Sequence, residues 1–448
     1  MTVPSVSWAL PAWPYSQEEN LFTVDWSGFV LNSAYVDTRQ ILNFRDELGS
    51  RNGYILVLPK PIDEDVNGND INAKGQSNIM PIYSRLSATI TGPDAGQARC
   101  LSVIEGDFLG TEDITIECFR LRDAFIQLDW ERFSFFTGQI WHPITFPYVA
   151  PDTISIAYGV PINAYARNPQ LRLEYKTENY TILGAALSQV IDINNGPCSK
   201  DDIITHCGQD PLFTQCEQDP IVNNLTGHHR SGIYARNAII QNIHGQFIWY
   251  PREHVHLGIG GDYKRLVPRL VSNQNIKVDE SISSFCAIAY ADLYYDELRA
   301  TAKFIYSESG DCYNLLGGYA VHSIDPITDK RTYTNLRYIG CWLDIYAVGK
   351  IEPGMFIGVT KNVGAAKTII PCIEQDGKLV SLVYGYGTEV DYLFRVSPRL
   401  RILFDPFTVG FEVEYNRAAY GRINTQGEVV NTRPVGAIRC LVGFYYFF

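Results

Sequence analysis

The last twelve residues, Ala437 to Phe448, constrain the fold of this chain more than any other stretch. Side chains point alternately to the two faces of a strand. The alternation puts Ile438, Cys440, Val442, Phe444, Tyr446 and Phe448 on one face, and Arg439, Leu441, Gly443, Tyr445 and Phe447 on the other. About ten residues of strand are enough to cross a bilayer at a tilt. An amphipathic strand that ends on an aromatic residue therefore predicts the last strand of a β-barrel in a membrane.

The same period of two recurs along the chain between turns at regular spacing. In 407–416, Phe407, Val409, Phe411, Val413 and Tyr415 alternate with Thr408, Gly410, Glu412, Glu414 and Asn416. The pattern predicts an all-β fold: a transmembrane antiparallel up-and-down β-barrel of about 16 strands over residues 24–448. Residues 1–23 are expected to be a periplasmic segment, and the even strand number places both termini in the periplasm.

Short and long connections alternate, as expected for short periplasmic turns and long extracellular loops. Short turns are predicted at 92–96, 131–132, 178–179, 251–253, 295–297, 348–354 and 405–406, and long loops at 37–80, 142–168, 193–236, 309–333, 363–388 and 424–435. One helix is predicted over residues 38–48, because Asp37 can cap its N terminus and Gly49 follows its end.

Composition agrees with a membrane barrel. Charged residues make up 19% of the chain and aromatic residues 13%. The aromatic excess fits girdles at two membrane interfaces, although a Tyr-rich carbohydrate-binding β protein would share it. A net charge of −12 argues against a nucleic-acid partner. No apolar run reaches the length of a transmembrane helix, and the first residues lack a signal-peptide pattern, so we expect a secretory signal to have been removed.

Ten cysteines are unusual for such a barrel. Cys100, Cys118, Cys286, Cys341 and Cys440 are predicted in strands, where they would pack as small apolar side chains. Cys198, Cys207, Cys216, Cys312 and Cys372 are predicted in loops. In an oxidising compartment these five are candidates for disulfides within one loop or between loops. Zinc at His206 and Cys207 is the weaker alternative, since no CxxC spacing accompanies them.

A calcium-loop pattern occurs once, at Asp63, Asp65 and Asn67, followed by Gly68. Lys74 stands where an EF-hand needs Glu, so an EF-hand is excluded. A calcium ion bridging external loops and a plain Asn/Gly-rich turn both remain open. No other cofactor is expected.

Several blocks in order resemble a known family: Arg85–Gly110, Phe119–Glu131, Phe135–Pro143, Ala166–Lys176 and the segment from 397 to 421. Together they are similar to Gram-negative outer-membrane porins, in particular the DcaP-like, dicarboxylate-type trimeric porins. The resemblance implies a homotrimer of 16-stranded barrels in outer-membrane lipid, each with a water-filled channel. In that family a His commonly stands in place of Asp123, and loop cysteines are not general, so the resemblance leaves the solute open.

A porin selects solutes through the width of a constriction and the charges that line it. By analogy with porins, the stretch 142–168 is predicted to fold inwards as the constriction loop; an ordinary surface loop is the alternative. Arginine rows favour small organic anions, although acidic neighbours can neutralise them. The predicted lining consists of Arg85, Arg120, Arg122, Asp123, Arg172, Arg395, Arg399, Arg401, Arg417, Arg439, Glu105, Asp107, Glu412 and Glu414.

The expected function is passive diffusion of small hydrophilic solutes, with a preference for small organic anions. A plugged barrel with an adhesive or structural role is the alternative. An enzyme is not expected: GxSxG is absent, and no nucleophile motif accompanies the eight histidines. His254 and His256 share one face of a predicted strand, which suits an inward-facing pair or a metal site.

We expect the purified protein to partition into detergent and to migrate anomalously on denaturing gels when it is not heated. A closed barrel resists unfolding by detergent at room temperature, whereas a soluble lectin would show neither property. Gel mobility before and after boiling is the measurement, and heat-independent migration with full aqueous solubility would contradict the barrel.

Overall fold

The computed structural model describes residues 22–42, 58–110, 117–145, 149–188, 205–207, 216–218, 230–375 and 378–448. Within them, 16 long strands form one antiparallel sheet that closes on itself, which confirms the predicted fold class. The strands are β1 Thr23–Asp37, β2 Arg85–Thr91, β3 Arg99–Asp107, β4 Arg120–Asp129, β5 Phe133–Trp141, β6 Arg167–Lys176, β7 Tyr180–Leu187, β8 Asn242–Arg252, β9 Val255–Leu266, β10 Ile282–Tyr295, β11 Leu298–Glu308, β12 Arg331–Ala347, β13 Ile351–Ala365, β14 Val390–Phe404, β15 Phe407–Ile423 and β16 Val429–Phe447.

The first and last strands close the wall. β1 pairs with β16 from Phe29 opposite Phe447 to Asp37 opposite Arg439. The other edge of β1 pairs with β2 and, further along, with the short strand Gln76–Met80. Closure pairs the first and last strands of the described sheet along the edges that would otherwise face hydrocarbon unpaired.

The predicted short turns are found at one rim, although β13 already begins at Ile351, within the turn predicted at 348–354. They connect β2 to β3, β4 to β5, β6 to β7, β8 to β9, β10 to β11, β12 to β13 and β14 to β15. The long loop predicted at 424–435 is wrong, because β16 already begins at Val429. A tight turn precedes it, in which the Asn424 side-chain oxygen accepts hydrogen bonds from the N–H groups of Gln426 and Glu428.

The helix predicted over 38–48 is wrong in its described part. Ile41–Leu42 instead forms a short strand against Leu58–Pro59, and residues 43–48 lie outside the described residues. The Asp37 carboxylate accepts two hydrogen bonds from Arg439, at 2.7 and 2.8 Å, and is therefore engaged by β16. The described helices are α1, Arg230–Asn237, and a 3₁₀ helix, Gly310–Tyr313.

The wall has the polarity of a protein that faces hydrocarbon outside and water inside. On β15, Phe411 and Val413 are exposed, whereas Glu412 and Glu414 are each 1% exposed. The other strands show the same alternation, with apolar side chains outside and charged side chains buried inside. Among the described residues, no helix has the length and hydropathy of a membrane span.

Above the long-loop rim, an ionic clamp joins two connections. Arg269 donates to both oxygens of Glu280, at 2.8 and 2.9 Å, and to Asp329 at 2.7 Å. Glu280 also accepts hydrogen bonds from the Tyr333 hydroxyl and from the N–H of Arg331. Although burial raises it, the hydrogen bond from Arg269 brings the pKa of Asp329 below its usual value. The clamp fixes 267–281 against 325–331.

Replacing Val413 by Arg should destabilise the barrel by roughly 2–4 kcal/mol, the cost of a basic side chain on the lipid face near the bilayer midplane. Denaturant unfolding in phospholipid vesicles gives the value. Thr425→Arg, in the exposed turn between β15 and β16, is the control and should change stability little. Equal effects of the two variants would show that the outer face of β15 does not meet lipid.

Candidate functional site: the interior of the barrel

An arginine–carboxylate network covers the inner face of β2, β3 and β4. Both oxygens of Asp107 accept hydrogen bonds from Arg120, at 2.9 and 2.8 Å, and one of them also accepts from Arg122 at 2.7 Å. Glu105 accepts from Arg122 at 2.7 Å and lies 3.4 Å from Arg85. Charge-assisted and partly bidentate pairs of this kind hold side chains in fixed positions.

A β-bulge explains how consecutive residues of β4 both reach the interior. Glu105 pairs with Asp123 and Gly106 with Leu121, so Arg122 is left as the extra residue. Arg122 and Asp123 are consequently both buried, which strict alternation would forbid. The bulge brings both predicted lining residues to the same side of the wall.

Aromatic rings lie beside Arg122 of this network and beside Arg167. The Arg122 guanidinium lies 5.2 Å from the centre of the Tyr83 ring and 5.8 Å from that of Trp141. Arg167, at the start of β6, lies 4.6 Å from the Trp141 ring. Guanidinium groups are weakly hydrated and stack on aromatic faces, so the rings stabilise these two buried cations.

Two arginines of the β14 row are paired with acidic residues, whereas Arg395 donates to the Asn416 side chain and to the Val160 carbonyl. Arg399 donates to both oxygens of Asp344, at 2.6 and 3.0 Å, and Arg401 donates to Asp152 and Glu352. On β16, Arg439 pairs with Asp37. The positive charge that the sequence placed along these strands is thus largely neutralised inside the barrel.

The described parts of the connection between β5 and β6, residues 142–145 and 149–166, fold into the barrel and are together called the inner loop. The Glu412 carboxylate accepts hydrogen bonds from the N–H groups of Ile154, at 2.6 Å, and Ser155, at 2.9 Å. Further along, the carbonyl of Val160 accepts from Arg395 at 3.0 Å. Inward-facing side chains of opposite strands therefore hold the backbone of the loop.

Apolar residues of the inner loop join a buried cluster within the barrel. Part of the cluster comes from the 3₁₀ helix and its continuation, and part from the inner face of the wall. Its members include Ile144, Val149, Ile162, Ala164, Tyr313, Leu315, Leu316, Trp342, Phe356 and Leu393. Packed apolar groups exclude water, so the cluster narrows the interior.

The structure places nearly all of the predicted lining on the inner side of the wall. Arg417 is the exception: the prediction is wrong because the residue is exposed on the same face of β15 as Phe411 and Val413. Buried are Arg120, Arg122, Asp123, Arg172, Arg395, Arg399, Arg439, Asp107, Glu412 and Glu414, and partly buried are Arg85, Glu105 and Arg401.

The loop cysteines occupy different places. A short antiparallel pair sets the backbone of Cys207 opposite Cys216, and Cys198 lies outside the described residues. Cys312 lies in the 3₁₀ helix, with its sulfur 3.0 Å from the Lys264 amine, and Cys372 begins the short strand Cys372–Gln375. Their disulfide pairing stays a prediction. Cys118 precedes β4, so its assignment to a strand is wrong.

The segment with the calcium-loop pattern forms a hydrogen-bonded turn. One oxygen of Asp65 accepts from the N–H groups of Asn67 and Asn69, both at 2.8 Å, and the other accepts from the Asn69 side chain. These bonds, the Asn69 side chain foremost, lower the pKa of Asp65. They suffice to explain the turn, and calcium at Asp63, Asp65 and Asn67 stays an untested prediction.

Sequence reasoning missed several partners of the inner loop. The Lys303 amine donates to the Ile144 carbonyl, and the Trp342 indole donates to the Asn163 side chain at 3.2 Å. Lys303 lies on the buried face of β11, but nothing in the local sequence indicates which loop residue it meets. His142, His244 and Asp262, which also lie together inside, were missed for the same reason.

Solved structures share this architecture. The outer-membrane channel DcaP of Acinetobacter baumannii matches with a TM-score of 0.61 at 11% identity, over 96% of this chain and 99% of that chain. The outer-membrane-expressed OmpT of Vibrio cholerae matches with a TM-score of 0.50 at 10% identity, over 96% and 99%. The chain has the porin fold. No protein-family model and no curated protein sequence matches it.

Replacing Glu412 by Ala should loosen the inner loop of this porin-like barrel, because two backbone N–H groups lose a charged acceptor. Amide hydrogen exchange around Ile154 and Ser155 should accelerate about 10-fold or more. Glu414→Ala is the matched control, since this buried carboxylate on the same strand face has no hydrogen bond to the loop in the structure. Unchanged exchange in Glu412→Ala would contradict the anchoring role.

Proposed function

We propose that the protein is an outer-membrane porin that lets small hydrophilic solutes diffuse passively through a water-filled channel. The observation that carries the proposal is the inverted polarity of the closed wall, with apolar side chains outside and ion-paired side chains inside. Membrane barrels need this distribution, and a soluble barrel needs the opposite one. Bilayer lipid and small solutes are the proposed partners, and the sequence resemblance supports a homotrimer.

The inner loop is the proposed constriction. It runs from the end of β5 to the start of β6, and its middle contacts Glu412, Asp344 and Arg395 on other parts of the wall. A loop held at both ends and at its middle divides the interior, so any open path passes beside it. The charges at the narrowest point of the path would then decide which ions pass.

A mild preference for small organic anions is the finer part of the proposal. Arg399 and Arg401 of the β14 row contribute little, because both are paired with carboxylates. The network on β2–β4 with Arg167 sets four guanidinium groups against three carboxylates, and its partly exposed arginine, Arg85, lies beside two aromatic rings. The groups are Arg85, Arg120, Arg122 and Arg167, and the carboxylates are Glu105, Asp107 and Asp123.

A second candidate is a plugged barrel that conducts nothing and serves an adhesive or structural role. The apolar cluster formed by Ile162, Leu316, Trp342 and neighbouring residues inside the wall supports it. Dry apolar packing of this kind is more typical of a core than of a channel. Conductance separates the two candidates.

Planar-bilayer recording in a salt gradient should show ion conduction and a reversal potential on the anion side. Arg85→Ser removes a partly exposed positive charge and should shift the reversal potential towards cations. Arg417→Ser is the matched control, because Arg417 lies on the outer face, and it should leave the potential unchanged. Cation selectivity of the unaltered protein would contradict the anion preference. If the unaltered protein does not conduct and a variant without residues 149–163 does, the result would support the plugged barrel.

A further inference from the structure

Two histidines and an aspartate meet inside the barrel, away from the arginine networks. His142 is the first residue of the inner loop, His244 lies on β8 and Asp262 on β9, and all three are buried. β8 and β9 place His244 directly opposite Asp262. One potential ligand atom from each residue lies within 4.8 Å of the other two.

Neighbouring groups determine which nitrogen of His244 carries the proton. The Gln246 amide nitrogen donates to the Tyr290 hydroxyl at 2.7 Å, so the amide oxygen faces the Nε2 atom of His244, at 3.0 Å. His244 therefore holds its proton on Nε2 and points the lone pair of Nδ1 towards Asp262. That Nδ1 lies 3.6 Å from Oδ2 of the carboxylate, and both atoms lack a hydrogen-bond partner.

Two buried acceptors that face each other need a donor or a cation between them, and Nε2 of His142, 3.2 Å from the same carboxylate oxygen, forms no hydrogen bond with it. The nearby lysines do not supply the cation. Lys264 donates to the Ser309 carbonyl at 2.6 Å and contacts Asp311 at 3.4 Å, and Lys303 donates to the Ile144 carbonyl. The cation must therefore be a proton or a metal ion.

Two of the three separations between the ligand atoms suit a metal ion, and the third, between the two histidine nitrogens, is within 4.8 Å. Nε2 of His142 lies 3.2 Å from the same Oδ2 of Asp262, and Nδ1 of His244 lies 3.6 Å from it. Ligands bound tetrahedrally at 2.0–2.2 Å lie about 3.3–3.6 Å apart. The Tyr313 hydroxyl donates to the other carboxylate oxygen and orients it. A metal-bound histidine usually donates a hydrogen bond from its other ring nitrogen, and His244 makes such a bond to the Gln246 side chain.

We propose that His142, His244 and Asp262 bind a divalent transition-metal ion of the zinc type. Two imidazole nitrogens and one carboxylate favour zinc, cobalt or nickel over magnesium or calcium, which prefer oxygen ligands. A fourth position is left for water. The ion joins the beginning of the inner loop to β8 and β9, because His142 belongs to the loop and the other two ligands to the wall.

Binding changes the tautomer of His142. Its Nδ1 accepts a hydrogen bond from the N–H of Ile144 at 3.1 Å, so the neutral ring carries its proton on Nε2, towards Asp262. To bind the ion, Nε2 gives up this proton and Nδ1 takes one, which breaks the contact with Ile144. His142 lies on a loop and can adjust, whereas His244 and Asp262 are held by strands.

Titration of the purified full-length protein with Co²⁺ in detergent tests the site. We expect one ion per chain, with the strong visible absorption of four-coordinate cobalt, and displacement by Zn²⁺. Asp262→Asn and His244→Ala should each weaken binding more than about 100-fold, since even the loss of an outer partner costs 10–100-fold. Absence of stoichiometric Co²⁺ binding would leave a proton as the cation and overturn the proposal.

Matched variants separate this site from other histidines. His256→Ala removes a histidine of β9 outside the cluster, and His206→Ala removes the neighbour of Cys207; neither should change the affinity. Gln246→Leu leaves all three ligands in place and should weaken binding 10–100-fold by releasing the His244 tautomer. Unheated gel mobility verifies the fold of each variant. Undiminished binding in both Asp262→Asn and Gln246→Leu, or its loss in His206→Ala, would overturn the assignment.

Discussion

The hydrogen-bonding demand of the backbone in hydrocarbon underlies the whole structure. Lipid offers no partner to an N–H or a C=O group, so each strand must pair on both edges and the last must return to the first. The pairing of β1 with β16 meets this demand. Once the wall is closed, successive side chains of a strand face lipid and the interior in turn. The exposed phenylalanines and buried glutamates of β15 are the direct consequence.

Enclosure then changes how the charges behave. A charge turned into a confined interior needs a partner, since burial without one is expensive. Arg399 with Asp344 and Arg439 with Asp37 satisfy this need between strands, and Glu412 satisfies it through the backbone of the inner loop. The same contacts that neutralise the wall also hold the loop across the barrel. Only a few inward charges, such as those of Arg85 and Glu105, consequently stay partly exposed.

Predictions based on strand alternation largely agreed with the structure, and the helix prediction failed because of a contact with a distant residue. The short turns and the inward faces of β6 and β14 follow from alternation alone. The helix over 38–48 rested on Asp37 as an N-cap, but Asp37 binds Arg439, which lies 402 residues further along. Arg417 was assigned to the lining together with the arginines of neighbouring strands. The alternation of β15 itself places Arg417 on the outer face with Phe411 and Val413. The bulge at Arg122 breaks the alternation that such reasoning assumes.

The amino-acid sequence by itself determined the wall: its strands, its turns and the sides on which apolar and charged residues lie. These features depend on residues within a few positions of one another, because the period of a strand is two. The tertiary structure decided which charges pair, how the inner loop crosses the barrel and which histidines meet Asp262. Those contacts join residues far apart in the chain, whose distances are set only when the sheet closes and its register is complete.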